Sequence, residues 1–164
     1  MAATLIIRPL EPRDRAEWDV LWAGYNAFYG RAGDTALPVE VSDTAWGRFL
    51  DPGEPMHALV AEDGSRVVGL AHFLFHRSTS RIEPVCYLQD LFTSPALRGR
   101  GVGRALIEGV HTRAQQAGAK RLYWQTQADN VAARVLYDKV AQHRGFIVYS
   151  RDAGYPATRS SGPG

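Results

Sequence analysis

The sequence predicts an α/β fold in which helices cover both faces of a mixed sheet. Hydrophobic periodicity changes repeatedly between two and about 3.6 residues along the chain of 164 residues. The predicted elements follow the order β-α-α-β-β-β-α-β-α-β, in which strands and helices interleave as they do in mixed α/β sheets. The length suits one domain, which we place at residues 1–152. We expect the Gly-, Pro- and Ser-rich tail at 153–164 to be flexible.

The first half of the chain predicts a strand, two helices and a hairpin. Residues 4–8 are rich in β-branched side chains and predict the first strand. Aromatic residues at spacings of four, three and four predict a helix over 13–29 and share one face of it. These aromatics are Trp18, Trp22, Tyr25 and Tyr29. A short helix is predicted over 39–50, and residues 56–76 form two strands joined at Asp63-Gly64, a strong hairpin signal.

The second half of the chain alternates strands with helices. The predicted elements are a strand over 85–93, a helix over 102–117, a strand over 120–127, a helix over 130–142 and a final strand over 145–151. Gly118 closes the first of these helices, because glycine readily adopts the backbone conformation that ends a helix.

Composition excludes several classes of protein. The net charge of +2 creates no whole-protein field, so nucleic acid is not an expected partner. No apolar run approaches the roughly 20 residues of a membrane span. The single cysteine, Cys86, cannot form an internal disulfide and no leader is visible, so we expect a cytoplasmic protein. The five histidines lack metal-ligand spacing, and no metal is expected.

A glycine- and arginine-rich stretch, RGRGVGR at residues 98–104, lies between a predicted strand and an amphipathic helix. No lysine follows the glycines as in a P-loop, and the third glycine of a dinucleotide fingerprint is missing. Glycines without Cβ would let the N–H groups of a helix N-terminus converge on a pyrophosphate, beside the cations of Arg98, Arg100 and Arg104. The alternative is a tight turn with arginines on a solvated surface.

The segment from Arg98 to Gly103 resembles the [QR]-x-x-G-x-[GA] signature of the GNAT superfamily of acyl-CoA-dependent N-acyltransferases. The resemblance extends to YLQDLF, similar to the fourth strand of that family, and to YWQT, similar to its fifth. Asn130-x-x-Ala133-x-x-x-Tyr137 resembles its last helix motif. The closest resemblance is to the branch that includes polyamine and histone-type acetyltransferases.

The resemblance implies a fold, a cosubstrate and an assembly. The sheet would be mostly antiparallel and twisted, with its fourth and fifth strands splayed apart. Acetyl-CoA would be the acyl donor, its pantetheine arm in the splay, and the protein would form a homodimer without a metal. The residues implied to bind acetyl-CoA are Leu91, Phe92, Thr93, Arg98, Gly99, Arg100, Gly101, Val102, Gly103, Arg104, Asn130, Ala133 and Tyr137.

The implied chemistry is direct attack of a neutral amine on the thioester, which needs an acid and a base. Tyr137 resembles the acid that protonates the leaving thiolate. The positions where the family most often has its base hold Tyr87 and Gln89, so Asp90, on a largely apolar strand face, is the candidate base. Asp90 could instead be a buried carboxylate satisfied by loop N–H groups, or an anchor for a substrate ammonium. Glu83 is the reserve base.

The acceptor site is expected beneath the first two helices, because these helices cover it in the family. Aromatic rings there could hold an alkylammonium by cation–π attraction. The residues expected to contact the acceptor are Trp22, Tyr25, Tyr29, Glu83 and Trp124. The predicted function is therefore acetyl transfer to a primary amine, either of a polyamine-like small molecule or of a protein lysine or N-terminus. A non-catalytic acyl-CoA-binding module that has lost its base is the alternative.

Overall fold

The computed structural model describes residues 4–152. Two compact units divide the chain after residue 127: the first contains a sheet and three α-helices, and the second contains the last α-helix. The elements are β1 (Leu5–Pro9), α1 (Arg15–Phe28), α2 (Val39–Leu50), β2 (Met56–Asp63), β3 (Arg66–Ser78), β4 (Arg81–Thr93), α3 (Val102–Gln116), β5 (Leu122–Tyr123) and α4 (Val131–Val140). No helix in this part of the chain is long and apolar enough to cross a bilayer.

The strands form one sheet in the order β1-β2-β3-β4-β5. All neighbours are antiparallel except β4 and β5, which are parallel. The predicted α/β class with a mixed, mostly antiparallel sheet is confirmed. The predicted hairpin is also present, but its two turn residues are Gly64 and Ser65, one position beyond the predicted pair, because Asp63 still pairs with Arg66.

Helices cover both faces of the sheet, as predicted. Trp18 and Leu21 of α1 share a buried cluster with Ala58 and Val60 of β2. The opposite face holds α3, whose Gly109 lies so close to β1 and β2 that an added Cβ would meet Ile7 and Leu59 side chains at 2.7 and 3.2 Å. Side chains alternate between the faces of a strand, so consecutive residues of β2 pack against helices on opposite faces of the sheet.

The register of β4 is interrupted at the residue before Asp90. Asp90 lies opposite His72 and Leu88 opposite Phe73, which leaves Gln89 as the extra residue of a β-bulge. On its other side β4 pairs with β5 only at Cys86–Leu122 and Tyr87–Tyr123. Within residues 4–127 no further ladder pair joins these strands, so β4 continues to Thr93 while β5 has ended. The predicted splay begins here.

Two strand predictions need correction. The strand expected over 120–127 is reduced to β5, because only two of its residues find ladder partners on β4. The final strand expected over 145–151 is wrong: residues 141–152 contain no strand, and the apolar side chains of 146–149 are 66–89% exposed. β-branched and aromatic residues favour a strand but do not supply the neighbouring strand that it must pair with. The tail predicted at 153–164 lies outside the described residues.

A buried ion pair fastens the chain between β1 and α1 to the sheet. Both terminal nitrogens of Arg8 donate to the carboxylate of Asp14 at 2.8 Å, and its Nε donates to Glu62 on β2 at 2.7 Å. The Asp14 carboxylate is 3% exposed and also accepts the N–H of Glu11 at 2.8 Å. Burial by itself would raise the pKa of Asp14, but the hydrogen bonds from Arg8 and Glu11 hold that pKa below its ordinary value.

We expect this ion pair to make stability depend on acid pH. The folded-state pKa of Asp14 lies below the unfolded value of about 3.8, so its stabilisation is present above the unfolded pKa and is lost as pH falls from there through the folded pKa. Asp14→Asn should lower the free energy of unfolding at pH 7 by about 2–4 kcal/mol, since Arg8 then keeps a half-buried charge with a weaker partner.

Urea unfolding at pH 7, 5 and 3 measures both effects. Asp14→Asn should lose less stability than the wild type between pH 5 and 3, whereas Asp19→Asn, at an exposed pair with Arg15, should follow the wild-type slope. Identical slopes for all three proteins would contradict the assignment.

Candidate active site

Four side chains from α1, β3 and β4 form a buried polar network. The indole Nε1 of Trp18 donates to Nε2 of His72 at 2.9 Å. The other ring nitrogen of His72, Nδ1, lies 2.9 Å from Oδ2 of Asp90. The hydroxyl of Tyr25 is hydrogen-bonded to the same carboxylate. All four residues are at most 9% exposed.

The direction of these hydrogen bonds defines the protonation of His72. An indole N–H only donates, so Nε2 must accept and the ring proton must lie on Nδ1, where it donates to Asp90. An imidazolium has no acceptor and could not receive the Trp18 hydrogen bond. Asp90 therefore accepts from His72 and from Tyr25. Burial, the negative charge of Asp90 and its hydrogen bond raise the pKa of Tyr25 far above the ordinary range.

The setting of Asp90 differs from the apolar face that strand alternation predicted. Cys86 and Leu88 are buried as expected, and burial raises the pKa of the Cys86 thiol to about 12. The carboxylate, however, has two polar partners from other elements. This arrangement is that of a satisfied buried carboxylate, with His72 and Tyr25 as donors in place of loop N–H groups. Its role as a base stays a prediction.

Tyrosine side chains gather where β4 separates from β5. Tyr87, at the last ladder pair, stacks on Tyr123 with ring centroids 4.9 Å apart. The hydroxyl of Tyr123 lies 3.0 Å from Nε2 of His76. Burial raises the pKa of Tyr87, and the nearby Tyr123, Asp90 and Tyr29 raise it further. The entrance to the splay is therefore lined by phenol groups close to the Asp90 network.

The aromatic face of α1 has two parts. One part packs against α2, and the other extends toward the place where β4 separates from β5. Trp22 stacks between Trp18 and Tyr25 at 5.7 and 5.2 Å, and its Nε1 donates to Ser42 of α2 at 3.1 Å. The Trp22 ring therefore serves mainly the contact of α1 with α2. Tyr25 continues to Tyr29, with centroids 5.0 Å apart.

Beyond α1, the rings of Tyr25 and Tyr29 contact one further aromatic ring and one cation. We call this group of side chains the aromatic wall. Tyr25 meets the ring edge of Phe92 on β4, with centroids 6.4 Å apart. The guanidinium of Arg31 lies 6.0 Å from the Tyr25 ring and 5.6 Å from the Tyr29 ring. The position over these two rings where a cationic acceptor was expected thus already holds a cation.

The glycine-rich loop ends at the N-terminus of α3. Gly99 and Gly101 have φ of +76° and +81°, a conformation that favours glycine, and an added Cβ on either would meet nothing within 4 Å. The first helical hydrogen bond runs from Ala105 N–H to Gly101 O, so the N–H groups of residues 102–104 precede the helical ladder. Arg98, Arg100 and Arg104 are exposed around them. The open, donor-rich and cationic loop fits a pyrophosphate group.

The remaining predicted cosubstrate residues fall into two groups. Leu91, Phe92 and Thr93 are half-buried on the part of β4 that has no β5 partner. The others belong to the second unit. Asn130 is the N-cap residue of α4, and Ala133 and Tyr137 are half-buried one turn apart on that helix.

Two predicted acceptor residues lie at opposite ends of the β4–β5 contact. Glu83 is seven residues before Asp90, roughly 20 Å along the strand, and lies 3.7 Å from Lys120 and 3.8 Å from Arg81. A hydrogen bond from its own backbone N–H, with these cations, lowers the pKa of Glu83 and makes it a weaker base. Trp124 directly follows β5 and is half-buried at the start of the splay.

Sequence reasoning missed the contribution of His72. Ser78 and Arg81 are the pair nearest the turn between β3 and β4. If the β3–β4 ladder continued from this pair without interruption, His72 would lie opposite Tyr87. Two register shifts in β3–β4 move its partner by three residues to Asp90. Hydrophobic alternation contains no direct signal for such bulges. Within residues 4–152 no cluster of His, Cys, Asp and Glu could hold a metal ion.

Comparison with known proteins gives the family to which this sheet, its splay and the loop before α3 belong. The profile of the Acetyltransferase (GNAT) family matches residues 18–141. The chain belongs to this family and is a GNAT-type N-acetyltransferase.

Similar proteins share most of its length. The chain is 36% identical over 153 residues to the D-amino-acid N-acetyltransferase HPA3 of Saccharomyces cerevisiae, with 92% of each chain covered. It is 29% identical over 145 residues to the uncharacterized N-acetyltransferase YhfO of Bacillus subtilis, covering 87% of this chain and 94% of that protein. AAC(6')-Iy, solved with the bisubstrate analog CoA-S-monomethyl-acetylneamine, has the same fold, with TM-score 0.78, 16% identity and coverage of 92% and 99%.

We expect the ring proton of His72 to lie on Nδ1 and its Nε2 to accept a hydrogen bond. Long-range ¹H–¹⁵N correlation of ¹⁵N-labelled protein should show a protonated Nδ1 and an accepting Nε2, because Trp18 and Asp90 dictate these roles. Trp18→Phe removes the indole donor and should allow the second tautomer. Exposed His111 serves as the internal reference. A protonated Nε2 in the wild type would contradict the network.

Proposed function

We propose that the protein transfers the acetyl group of acetyl-CoA to the primary amine of a small molecule, by direct attack of the amine. The observation that carries the proposal is the loop before α3, where two left-handed glycines leave open space beside helix N–H groups and arginines. Such a loop favours a doubly charged diphosphate. The likeness in fold to AAC(6')-Iy, whose structures are complexes with CoA or a CoA analog, supports the same donor.

Residues of this chain would divide the work of binding and proton transfer. The N–H groups at the start of α3, with Arg98, Arg100 and Arg104, would hold the diphosphate. The backbone of residues 91–93, beyond the end of β5, would hydrogen-bond the pantetheine arm in place of a strand. In this proposal the hydroxyl of Tyr137 supplies the proton to the departing thiolate, as the family resemblance implies.

The acceptor in this proposal is a small amine, and an amino acid fits best. The relative HPA3 is named a D-amino-acid N-acetyltransferase, and AAC(6')-Iy is an aminoglycoside acetyltransferase. Both names describe small amines, which supports the small-molecule alternative over a protein lysine or N-terminus. Membership of the polyamine and histone-type branch stays a prediction. So does the choice of base, between Asp90 and Glu83.

A homodimer and a cytoplasmic location also stay predictions. The exposed apolar side chains of residues 146–149 support self-association, because contiguous exposed apolar surface often marks a protein interface.

Gly101→Asp should weaken acetyl-CoA binding at least tenfold, because it puts a side chain and a negative charge where donors converge on the diphosphate. Isothermal titration calorimetry with acetyl-CoA measures the loss. Gly118→Asp is the matched control: Gly118 has φ of +79° at the other end of α3, so the backbone strain is similar while the loop is untouched. Equal affinities for wild type and Gly101→Asp, in a folded protein, would refute the diphosphate site.

Tyr137→Phe removes only a hydroxyl and should lower kcat by about 10- to 100-fold, which reaches the lower end of the usual contribution of general acid catalysis, about 10²-fold. The affinity for acetyl-CoA should change little. Steady-state thiol release gives kcat, and calorimetry gives the affinity separately. Equal losses of affinity and turnover would assign Tyr137 to packing and not to proton transfer.

A further inference from the structure

Arg31 is a fixed cation, and most of its N–H donors have no acceptor among residues 4–152. It follows α1, and its backbone N–H and its Nε both bond to Asn26, at 2.9 Å to the carbonyl and 2.7 Å to Oδ1. Asn26 is 4% exposed, and its Nδ2 donates to the carbonyl of Trp22 at 2.8 Å, which orients the amide. The Arg31 side chain is therefore anchored from within the helix.

The free part of the guanidinium is its terminal fork. Among residues 4–152 no carboxylate lies within ion-pair distance of Arg31, and neither of its terminal nitrogens has a protein acceptor. Arg8 and Arg15, by contrast, each pair with two carboxylates. Arginine presents these donors in the planar geometry that a carboxylate accepts in pairs. An anchored, half-buried guanidinium that has no anionic partner in the described part of the chain favours an anionic ligand group.

Arg31 lies next to the place where acetyl transfer is proposed. Its guanidinium contacts the rings of Tyr25 and Tyr29. Tyr25 bonds to Asp90 through its hydroxyl, and Tyr29 and Asp90 are both near enough to Tyr87 to raise its pKa. Tyr29, which Arg31 contacts, thus lies near Tyr87 of the last β4–β5 ladder pair.

Charge distinguishes between the possible acceptors at this wall. A second ammonium of a polyamine, placed over Tyr25 and Tyr29, would be repelled by the guanidinium that already lies there. A carboxylate would be attracted and could accept two hydrogen bonds. We propose that Arg31 binds the carboxylate of the acceptor, so that the acceptor is an amino acid whose amine points toward the β4–β5 splay. This inference rests on the proposed N-acetyltransferase function and adds the group that selects its substrate.

The test compares matched acceptors that differ only in the carboxylate. Acetyl transfer from acetyl-CoA to D-phenylalanine and to D-phenylalaninamide is measured, together with the L-enantiomers, at one fixed pH. The acid-to-amide ratio of kcat/KM is then compared between wild type and variants, which cancels the different basicity of the two amines. Arg31→Gln should lower this ratio roughly ten- to hundredfold, mainly through KM for the acid. Arg31→Lys keeps the charge without the fork and should lower it less.

Arg66→Gln, at the exposed β2–β3 hairpin, is the matched control and should keep the wild-type ratio. An unchanged ratio in Arg31→Gln, with an unchanged melting temperature, would overturn the role of Arg31 and leave the N-acetyltransferase function standing. If Arg31→Gln does not fold, the test uses Arg31→Lys instead. An acid-to-amide ratio of kcat/KM equal to that of the wild type in Arg31→Lys would overturn the proposal. Absence of transfer to acids, amides and spermidine alike, despite acetyl-CoA binding, would instead refute the proposed function itself.

Discussion

The structure depends above all on the register of one strand. The extra residue at Gln89 shifts β4 so that Asp90 lies opposite His72 instead of one position away. A β-bulge also increases local twist and bends its strand, and it follows closely on the last pair that β4 makes with β5. One irregularity in the ladder therefore accompanies both the buried carboxylate and the opening in the sheet.

The polar network built on this register joins three elements that hydrophobic packing alone would leave free to slide. Trp18 and Tyr25 lie two helical turns apart on α1, and both bond to the His72–Asp90 pair across β3 and β4. Leaving any one of these buried groups unpaired would cost about 1–3 kcal/mol. Hydrogen bonds are directional, so the network fixes the rotation of α1 on the sheet. It thereby sets where Tyr29 and Arg31, at the end of the helix, stand relative to the splay.

Sequence reasoning predicted the fold because periodicity and turn chemistry are local signals. The class, both hairpin strands, the helix that starts at Val102 and the loop before it all follow from such signals. Pairing partners are not local: β5 is shorter than its composition indicates, and the segment at 145–151 forms no strand although its residues favour one. The same limit applies to the site. Asp90 could be singled out as a lone acid, but its partners depend on two register shifts, and Arg31 lies past the helix end, where no periodicity identifies it.

The crowding of aromatic rings around His72 also gives the protein an internal optical probe. Three of its four tryptophans are in one contact group: Trp18 lies 5.7 Å from Trp22 and 5.2 Å from Trp46. Trp18 and Trp22 also contact the His72 ring. Tryptophan emission will therefore report mainly on how α1 packs against the sheet. The fourth, Trp124, directly follows β5, so its emission reports on the start of the splay.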